Sequence, residues 1–185
     1  MKIIETSLPG VLIVEPKFAG DARGFFMEAF QARRYAEAGI ADAFVQDNVS
    51  FSRYGVLRGL HFQHPHAQGK LVYVLQGEVF DVAVDIRHES PAFGKWFGVS
   101  LSADNKRQLW VPAGFAHGFC VTSETALFVY KCTDYYRPDA EGTVAWNDPR
   151  IAVDWPLERP ELSTKDNGAS PLDQIPRSRL PVYSV

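Results

Sequence analysis

Two short segments of the chain concentrate the residue types best suited to acid–base chemistry. The first, residues 56–70, carries Arg58, His61, Gln63 and Lys70. The second, residues 112–117, ends in His117. A neutral imidazole can accept a proton from a carbon next to a carbonyl group, and a fixed ammonium group can stabilise the enolate oxygen that develops. We therefore expect the two segments to face each other inside a β-barrel and to form an acid–base site without a metal.

Lys70 is the residue that favours a functional interpretation of this region. His61 alone is equally well explained as a core histidine held by hydrogen bonds. An unpaired lysine at the start of an apolar strand is costly to bury unless it has a purpose. His64 and His66 flank Pro65 between two predicted strands, so a solvent-exposed loop explains them more simply than a metal site.

Composition and charge limit the classes of function. The chain has 185 residues, 46% hydrophobic and 22% charged, with a formal net charge of -3. This fits one domain, predicted over residues 1–176 and followed by a tail at 177–185. The negative charge gives no general attraction to nucleic acid or to an anionic membrane, and no apolar run is long enough to span a bilayer. Any phosphate must be held by a few local arginines and lysines.

The N-terminus and the cysteines indicate the cellular compartment in which the protein resides. No signal peptide is evident at the N-terminus. The two cysteines, Cys120 and Cys132, lack metal-ligand spacing and lie in apolar runs, which indicates buried thiols in a reducing compartment. We expect the protein to be cytoplasmic.

Alternating and apolar runs separated by turn residues predict a mainly β protein with few helices. We expect two short strands near residues 2–15, then seven or eight more between residues 44 and 132. One helix is predicted over 30–38, with Gly39 at its end. Residues 18–28 are interpreted as a surface hairpin, and the proline-rich chain after Tyr136 as ordered loops. Ser170 is expected to cap a short terminal helix.

The strand pattern and the two histidine segments resemble the cupin superfamily of double-stranded β-helix, or jelly-roll, barrels. Cupins usually bind a metal through a His-x-His pair, a glutamate and a further histidine. Here Gln63 replaces the second histidine of the pair, and Lys70 stands where the glutamate would be, six residues before Gly77. A lysine ammonium repels a divalent cation and offers it no lone pair, so no metal and no other cofactor is expected.

A larger set of motifs resembles one family, the dTDP-4-dehydrorhamnose 3,5-epimerases. These motifs run in the family's order between about residues 3 and 166: Arg23-Gly-x-Phe-x-Glu28, Gln46-Asp-Asn48, Leu57-Arg-Gly-Leu-His-Phe-Gln63, Gln68-Gly-Lys70, Gly77 to Asp85, Pro112 to Gly118, Tyr130-Lys and Trp146-Asn-Asp. The resemblance implies an isomerase that acts on a dTDP-4-keto-6-deoxysugar, inverts C3 and C5, and works as a homodimer.

The resemblance also assigns roles to individual residues. His61 would be the general base for the protons at C3 and C5, and Asp166 would orient its imidazole. Lys70 would stabilise the C4 enolate, and Tyr130 would deliver a proton to the opposite face. The positions that would hold the nucleotide-sugar are Arg23, Glu28, Gln46, Asn48, Arg58, His117, Glu141 and Lys165. Phe25 or Tyr135 would stack on the base. Asp81 either borders the site or lies on a polar sheet face, and the second interpretation is favoured.

Other functions fit parts of the pattern. A relative that epimerises only C3 or only C5, or isomerises the ketone of another deoxysugar, would carry the same residues. A non-catalytic sugar-nucleotide-binding cupin would not need Tyr130, Asp166 and Lys70. If the chain were instead a metal-dependent cupin oxygenase or isomerase, the purified protein would contain iron, zinc or manganese in a stoichiometric amount.

Overall fold

Strands dominate the computed structural model, which describes residues 1–183. The strands are β1 (Lys2–Glu5), β2 (Leu12–Glu15), β3 (Phe18–Asp21), β4 (Gly24–Met27), β5 (Gln46–Arg53), β6 (Leu57–Gln63), β7 (Lys70–Gln76), β8 (Glu78–Asp85), β9 (Trp96–Ser102), β10 (Gln108–Val111), β11 (Phe115–Val121), β12 (Thr125–Cys132) and β13 (Glu141–Thr143). The helices are α1 (Ala32–Glu37), α2 (Thr164–Asn167) and short 3-10 turns at Leu172–Gln174 and Arg177–Arg179. The mainly β prediction is confirmed.

The strands form two larger sheets and a separate hairpin. A six-stranded sheet has the order β1-β2-β10-β7-β12-β5, and a five-stranded sheet has the order β13-β6-β11-β8-β9. All pairings between these strands are antiparallel. Strands that are neighbours in sequence often lie in different sheets, as β6 and β7 do, so the chain crosses repeatedly between the two walls.

The core lies between the sheets. Val72 and Phe128 from the six-stranded sheet pack in one cluster with Val79, Leu101 and Phe119 from the five-stranded sheet. Strand β8 is buried on both faces along most of its length, so it lacks the simple alternation of a half-exposed strand.

The outer faces of the sheets are covered in part by the chain ends. Helix α1 places Tyr35 against Val14 and Trp110 of the six-stranded sheet. The segment after β13 crosses the five-stranded sheet, where Ile151 and Leu180 pack on its apolar residues. Among residues 1–183, none of the helices is long and apolar enough to cross a membrane.

The C-terminal tail packs on its own chain as far as it is described. Leu180 is buried, Val182 bridges to His88, and the Tyr183 amide donates to the His88 carbonyl. Residues 184–185 of the predicted tail lie outside the described residues.

Several predicted boundaries differ from the structure. The helix predicted over 30–38 spans Ala32–Glu37, with Gln31 as its N-cap. Strand β11 begins at Phe115, so His117 lies within a strand. Helix α2, capped by Ser163, was not predicted, whereas the turn after Ser170 lacks the expected side-chain cap.

Candidate active site

A cavity of about 340 Å³ lies between the two sheets, and most of the predicted site residues line it. Strands β5, β7 and β12 form one wall, and β6, β11 and β13 form the opposite wall. The predicted residues that line it are Gln46, Asn48, Arg58, His61, Lys70, His117, Tyr130, Glu141 and Lys165. The fold therefore brings together residues that are spread over more than a hundred positions of the sequence.

His61 lines the cavity from β6 and is held from behind by Asp166. Its Nε2 lies 2.6 Å from Asp166 Oδ1. Asp166 is 3% exposed, and the Ser163 hydroxyl accepts a bond from its amide at the start of α2. Burial alone would raise the pKa of the Asp166 carboxyl, but the His61 bond and charge, with help from Ser163 and Lys165, lower that pKa below its ordinary value. A persistently ionised carboxylate fixes the ring and stabilises its protonated form.

A second histidine–aspartate pair lies deeper in the same wall. His117 on β11 pairs directly with His61 across the strands, and its Nε2 lies 2.9 Å from Asp81 Oδ1. Asp81 is fully buried. The favoured interpretation of Asp81, as part of a polar sheet face, is therefore wrong, and the contact with His117 supports the alternative that Asp81 borders the site. Its partner is 36 residues away in sequence, so only the β8–β11 pairing reveals the contact.

Lys70 begins β7 on the opposite wall, directly across from Cys132 of β12. Among residues 1–183, no carboxylate lies within ion-pair distance of its ammonium group. Burial lowers the pKa of Lys70, and the influence of Cys132, Asp81 and Glu141 offsets this only in part. A cation without a protein counter-charge is suited to an anionic oxygen of a ligand.

Tyr130 stands on β12, in the six-stranded sheet, whereas His61 stands on β6, in the five-stranded sheet. The two groups therefore face the cavity from opposite walls. Burial raises the pKa of the Tyr130 phenol, so it stays protonated at neutral pH. A protonated phenol across the cavity from an imidazole provides a proton donor and a proton acceptor on two sides of one ligand.

Arg58 reaches the cavity because β6 is irregular. In a regular strand, residues separated by three positions point to opposite faces, as Arg58 and His61 would. The β6–β11 pairing shifts register here, and Gly59 adopts a φ of 131°. Both side chains consequently line the cavity, and Arg58 Nε donates to the Ser52 hydroxyl at 3.1 Å.

The open side of the cavity carries a small polar network. Lys165 Nζ donates to Glu141 at 2.8 Å, and the Tyr136 hydroxyl donates to the other Glu141 oxygen at 3.2 Å. Tyr136 lines the cavity, whereas the predicted stacking candidates Phe25 and Tyr135 do not. Tyr136, the sequence neighbour of the predicted Tyr135, is thus one of several aromatic residues that line the cavity.

Strand β5 contributes a row of polar side chains at every second residue. Gln46 Nε2 donates to Asn48, and Asn48 Nδ2 donates to Cys132 Sγ. Ser50, the next in the row, also lines the cavity. Nothing in the spacing distinguishes Ser50 from an ordinary strand serine, so the sequence offered no signal for it.

Gln63 lines the cavity, but both ends of its amide are bound to backbone. Its Nε2 donates to the carbonyl oxygens of His66 and Tyr135, and its Oε1 accepts from the Arg137 amide. This amide ties two loops together, which explains its place in the first motif.

Arg23 and Glu28 lie away from the cavity of their own chain. Arg23 sits in the turn of the exposed β3–β4 hairpin, paired with Asp21, and its side chain is 90% exposed. Glu28 follows β4 and pairs with Arg34. The residues of this hairpin do not line the cavity that holds His61.

The donor set of the cavity does not form a metal centre. Within residues 1–183, no group of three histidine, cysteine, aspartate or glutamate side chains is placed to hold a metal ion. His61 and His117 each contact an aspartate, and the third position of the cupin set is the ammonium of Lys70.

Comparison with known proteins agrees with this geometry. The family model described as dTDP-4-dehydrorhamnose 3,5-epimerase matches residues 5–174. A protein of that name from Salmonella typhimurium is 58% identical over 177 residues, covering 94% of this chain and 97% of the relative.

Solved structures give the same result. A 3,5-epimerase from Legionella pneumophila, in complex with dTDP-4-keto-L-rhamnose, is 58% identical with a TM-score of 0.97, over 100% of this chain and 99% of that chain. A 3'-monoepimerase from Streptomyces bikiniensis, in complex with dTDP-quinovose, is 33% identical with a TM-score of 0.90, over 96% and 92%. These neighbours confirm the cupin-type fold class. The chain therefore belongs to the dTDP-4-dehydrorhamnose 3,5-epimerase family of isomerases, as its motifs predicted.

Proposed function

We propose that this enzyme epimerises C3 and C5 of dTDP-4-dehydro-6-deoxy-D-glucose to give dTDP-4-dehydro-L-rhamnose, a step of dTDP-L-rhamnose biosynthesis. The observation that carries the proposal is the placement of His61 and Tyr130 on opposite walls of one cavity, with Lys70 beside Tyr130 in the same sheet. Inverting a stereocentre requires proton removal on one face and proton delivery on the other, and this arrangement supplies both.

Each inversion consists of two proton transfers. His61, oriented by Asp166, takes the proton from the carbon next to the C4 ketone, and the C–H electron pair becomes the C=C bond of the enolate. Lys70 stabilises the negative charge on the C4 oxygen. Tyr130 then delivers a proton to the same carbon from the other side. The product has the same composition and oxidation state as the substrate and differs only in configuration, so the reaction needs no redox cofactor.

The remaining cavity residues are proposed to hold the nucleotide-sugar. Arg58 and Lys165 supply positive charge for the diphosphate, and the planar guanidinium makes paired, charge-assisted bonds to phosphate oxygens. Gln46, Asn48, His117 and Glu141 line the same cavity as donors and acceptors.

We also propose that the enzyme is a cytoplasmic homodimer. Arg23 and Glu28 match family positions for substrate, yet they lie outside the cavity of their own chain. They can contact the substrate only if the β3–β4 hairpin reaches the cavity of a second copy. The hairpin exposes Phe25 and Phe26, which are 58% and 77% exposed in the isolated chain. Large exposed apolar side chains of this kind favour a protein contact.

Deuterium incorporation from heavy water tests the proposed reaction. With the ketosugar as substrate, we expect deuterium at both C3 and C5 of the product. His61→Asn and Tyr130→Phe should each lower turnover by on the order of 10²-fold. Tyr130→Phe should still exchange a proton through His61, so the recovered substrate would carry deuterium without inversion.

The other outcomes identify other functions. Deuterium at one carbon only would indicate a single-site epimerase, the activity in the name of the Streptomyces bikiniensis relative. No incorporation by the wild-type enzyme would refute the proposal and favour a binding protein. Metal analysis of the purified enzyme tests the expectation that turnover requires no metal.

A further inference from the structure

Among residues 1–183, Ser50 is the one polar side chain of the cavity-facing row of β5 that has no hydrogen-bond partner in the protein. Gln46 and Asn48 bond to each other and to neighbouring groups, and Ser52 accepts from Arg58. The Ser50 Oγ atom is shielded from solvent and unpartnered. Within residues 1–183, the only other such atom is Nδ1 of His88, which lies at the C-terminal tail and not in the cavity.

A buried hydroxyl without a partner is an exception that requires an explanation. Almost all buried polar atoms in folded proteins are hydrogen-bonded, and a hydroxyl can donate one bond and accept two. The nearest groups across the strands are apolar, because Ser50 pairs with Phe128, whose ring stacks on Phe119 at 4.1 Å. The cavity side is therefore where a partner for the Ser50 hydroxyl can bind.

The register of β5 fixes which part of a ligand that partner is. On one side of Ser50, Asn48 pairs with Tyr130, and on the other side Ser52 anchors Arg58. Ser50 thus lies between the group that faces the reacting carbons and the guanidinium that faces the diphosphate. The part of a nucleotide-sugar between those two points is the hexose ring.

We propose that the Ser50 hydroxyl hydrogen-bonds an oxygen of the bound hexose and contributes to selection of the sugar half of the substrate. The inference rests on the proposed function for the identity of the ligand. Ser50 belongs to none of the family motifs and is not among the residues proposed above for catalysis or substrate binding. Among residues 1–183 the hydroxyl has no protein partner, because on this proposal its partner is the substrate.

Calorimetric titration separates the two halves of the ligand. The probes are dTDP-L-rhamnose, which has no C4 ketone to react, and dTDP, which lacks the sugar. We expect Ser50→Ala to weaken dTDP-L-rhamnose binding by about tenfold, the loss of one neutral hydrogen bond, while the dTDP affinity changes less than about twofold. Ser100→Ala, which alters an exposed serine of β9, is the matched control and should leave both affinities unchanged.

Thermal unfolding of the free protein distinguishes a ligand contact from a structural role. Removing an unpaired buried hydroxyl should leave the melting temperature of Ser50→Ala unchanged or raise it. A lower melting temperature, an unchanged affinity for dTDP-L-rhamnose, or an equal loss of dTDP affinity would each overturn the inference.

The proposed function is judged independently by heavy-water turnover of the wild-type enzyme. If the wild type binds dTDP-L-rhamnose but does not exchange deuterium, and Ser50→Ala still loses sugar affinity, the epimerase proposal fails and the Ser50 contact stands. If the wild type exchanges deuterium and Ser50→Ala binds normally, the Ser50 contact fails alone. If the wild type binds neither probe, both fail.

Discussion

At the residue scale, the proposed mechanism depends on how each side chain is kept in its required charge state. His61 must accept a proton, and the buried carboxylate 2.6 Å away stabilises the imidazolium that forms. Tyr130 must hold a proton, and burial raises its pKa. Lys70 must carry a positive charge, although burial lowers its pKa. The lysine is therefore the group whose charge state is most sensitive to alkaline pH.

The alkaline limb of the pH–rate profile should report Lys70. Because its pKa is lowered from 10.5, we expect kcat to fall with rising pH before an ordinary lysine would titrate. Tyr130 is not expected to cause this limb, since its pKa is raised above 10.0. The stability of the folded protein should rise over the pH range in which kcat falls. Between the folded pKa and 10.5 the unfolded lysine binds more protons, so the free energy of unfolding rises with pH.

Lys70→Arg is the matched variant for this measurement, because a guanidinium stays charged throughout the accessible pH range. Its turnover at neutral pH should be lower, owing to the changed geometry, but its alkaline limb should move to higher pH. A variant with the same alkaline limb as the wild type would assign the limb to another group.

At the residue scale, the sequence predicted the site residues that stand out by their type or by their place in a motif. Lys70 was recognisable because an unpaired lysine in an apolar context is unusual. The motif order identified the family and, with it, Asp166. The sequence could not decide between the two interpretations of Asp81 and gave no signal for Ser50, because only the sheet pairing shows what each side chain faces or lacks.

At the scale of elements, the close approach of β6 and β11 positions the cavity wall that carries His61 and His117. Gly59 and Gly118 lie against each other where the register shifts, next to the His61–His117 pair. A Cβ atom at Gly118 would lie 2.7 Å from the Arg58 carbonyl oxygen and 3.0 Å from the Gly59 Cα. These are backbone atoms, so the strands would have to separate to make room.

Gly118→Ala should therefore lower both stability and activity. We expect a loss of about 1–3 kcal/mol in the free energy of unfolding, typical of overpacking. Turnover should fall by on the order of tenfold, since Arg58 and His61 would shift relative to the opposite wall. Thermal melts and steady-state kinetics measure the two effects.

Gly168→Ala is the control for the substitution itself. Gly168 has a φ of -93°, and the nearest atom to an added Cβ would be 3.4 Å away, an ordinary contact. The melting temperature of the Gly168→Ala variant should stay close to that of the wild type. Equal destabilisation by the two variants would show that the β6–β11 contact is not the cause.

The limits of sequence prediction are also clearest at this scale. Alternation predicted the strands because it reflects which faces are buried. It could not predict that Arg58 and His61, three residues apart, face the same cavity, since this depends on a register shift at Gly59. It also missed α2, because a four-residue helix is too short to show a periodic pattern.

At the scale of the whole molecule, the β3–β4 hairpin separates two predicted substrate-binding residues from the cavity. Within the chain it contacts Lys106, whose ammonium lies 4.8 Å from the Phe18 ring centroid and 4.6 Å from that of Phe25. Among the described residues, Arg23 at its turn bonds only to the nearby Asp21, and surface ion pairs of this kind contribute little to stability. Arg23 is thus free to exchange Asp21 for another anionic partner.

Subunit complementation tests whether the hairpin serves a second copy. Arg23→Ala and His61→Asn should each be poorly active alone. If Arg23 acts in the partner's cavity, a mixed dimer contains one site with both native residues. Statistical exchange at a 1:1 ratio makes half of the dimers mixed, so about a quarter of wild-type activity should return.

If Arg23 acted within its own chain, no site of the mixed dimer would hold both native residues, and mixing would restore nothing. His61→Asn mixed with Asp166→Asn is the matched control, because His61 and Asp166 contact each other within one chain. That mixture should stay as inactive as its components. Recovery in the first mixture alone would therefore place the hairpin of one subunit at the cavity of the other.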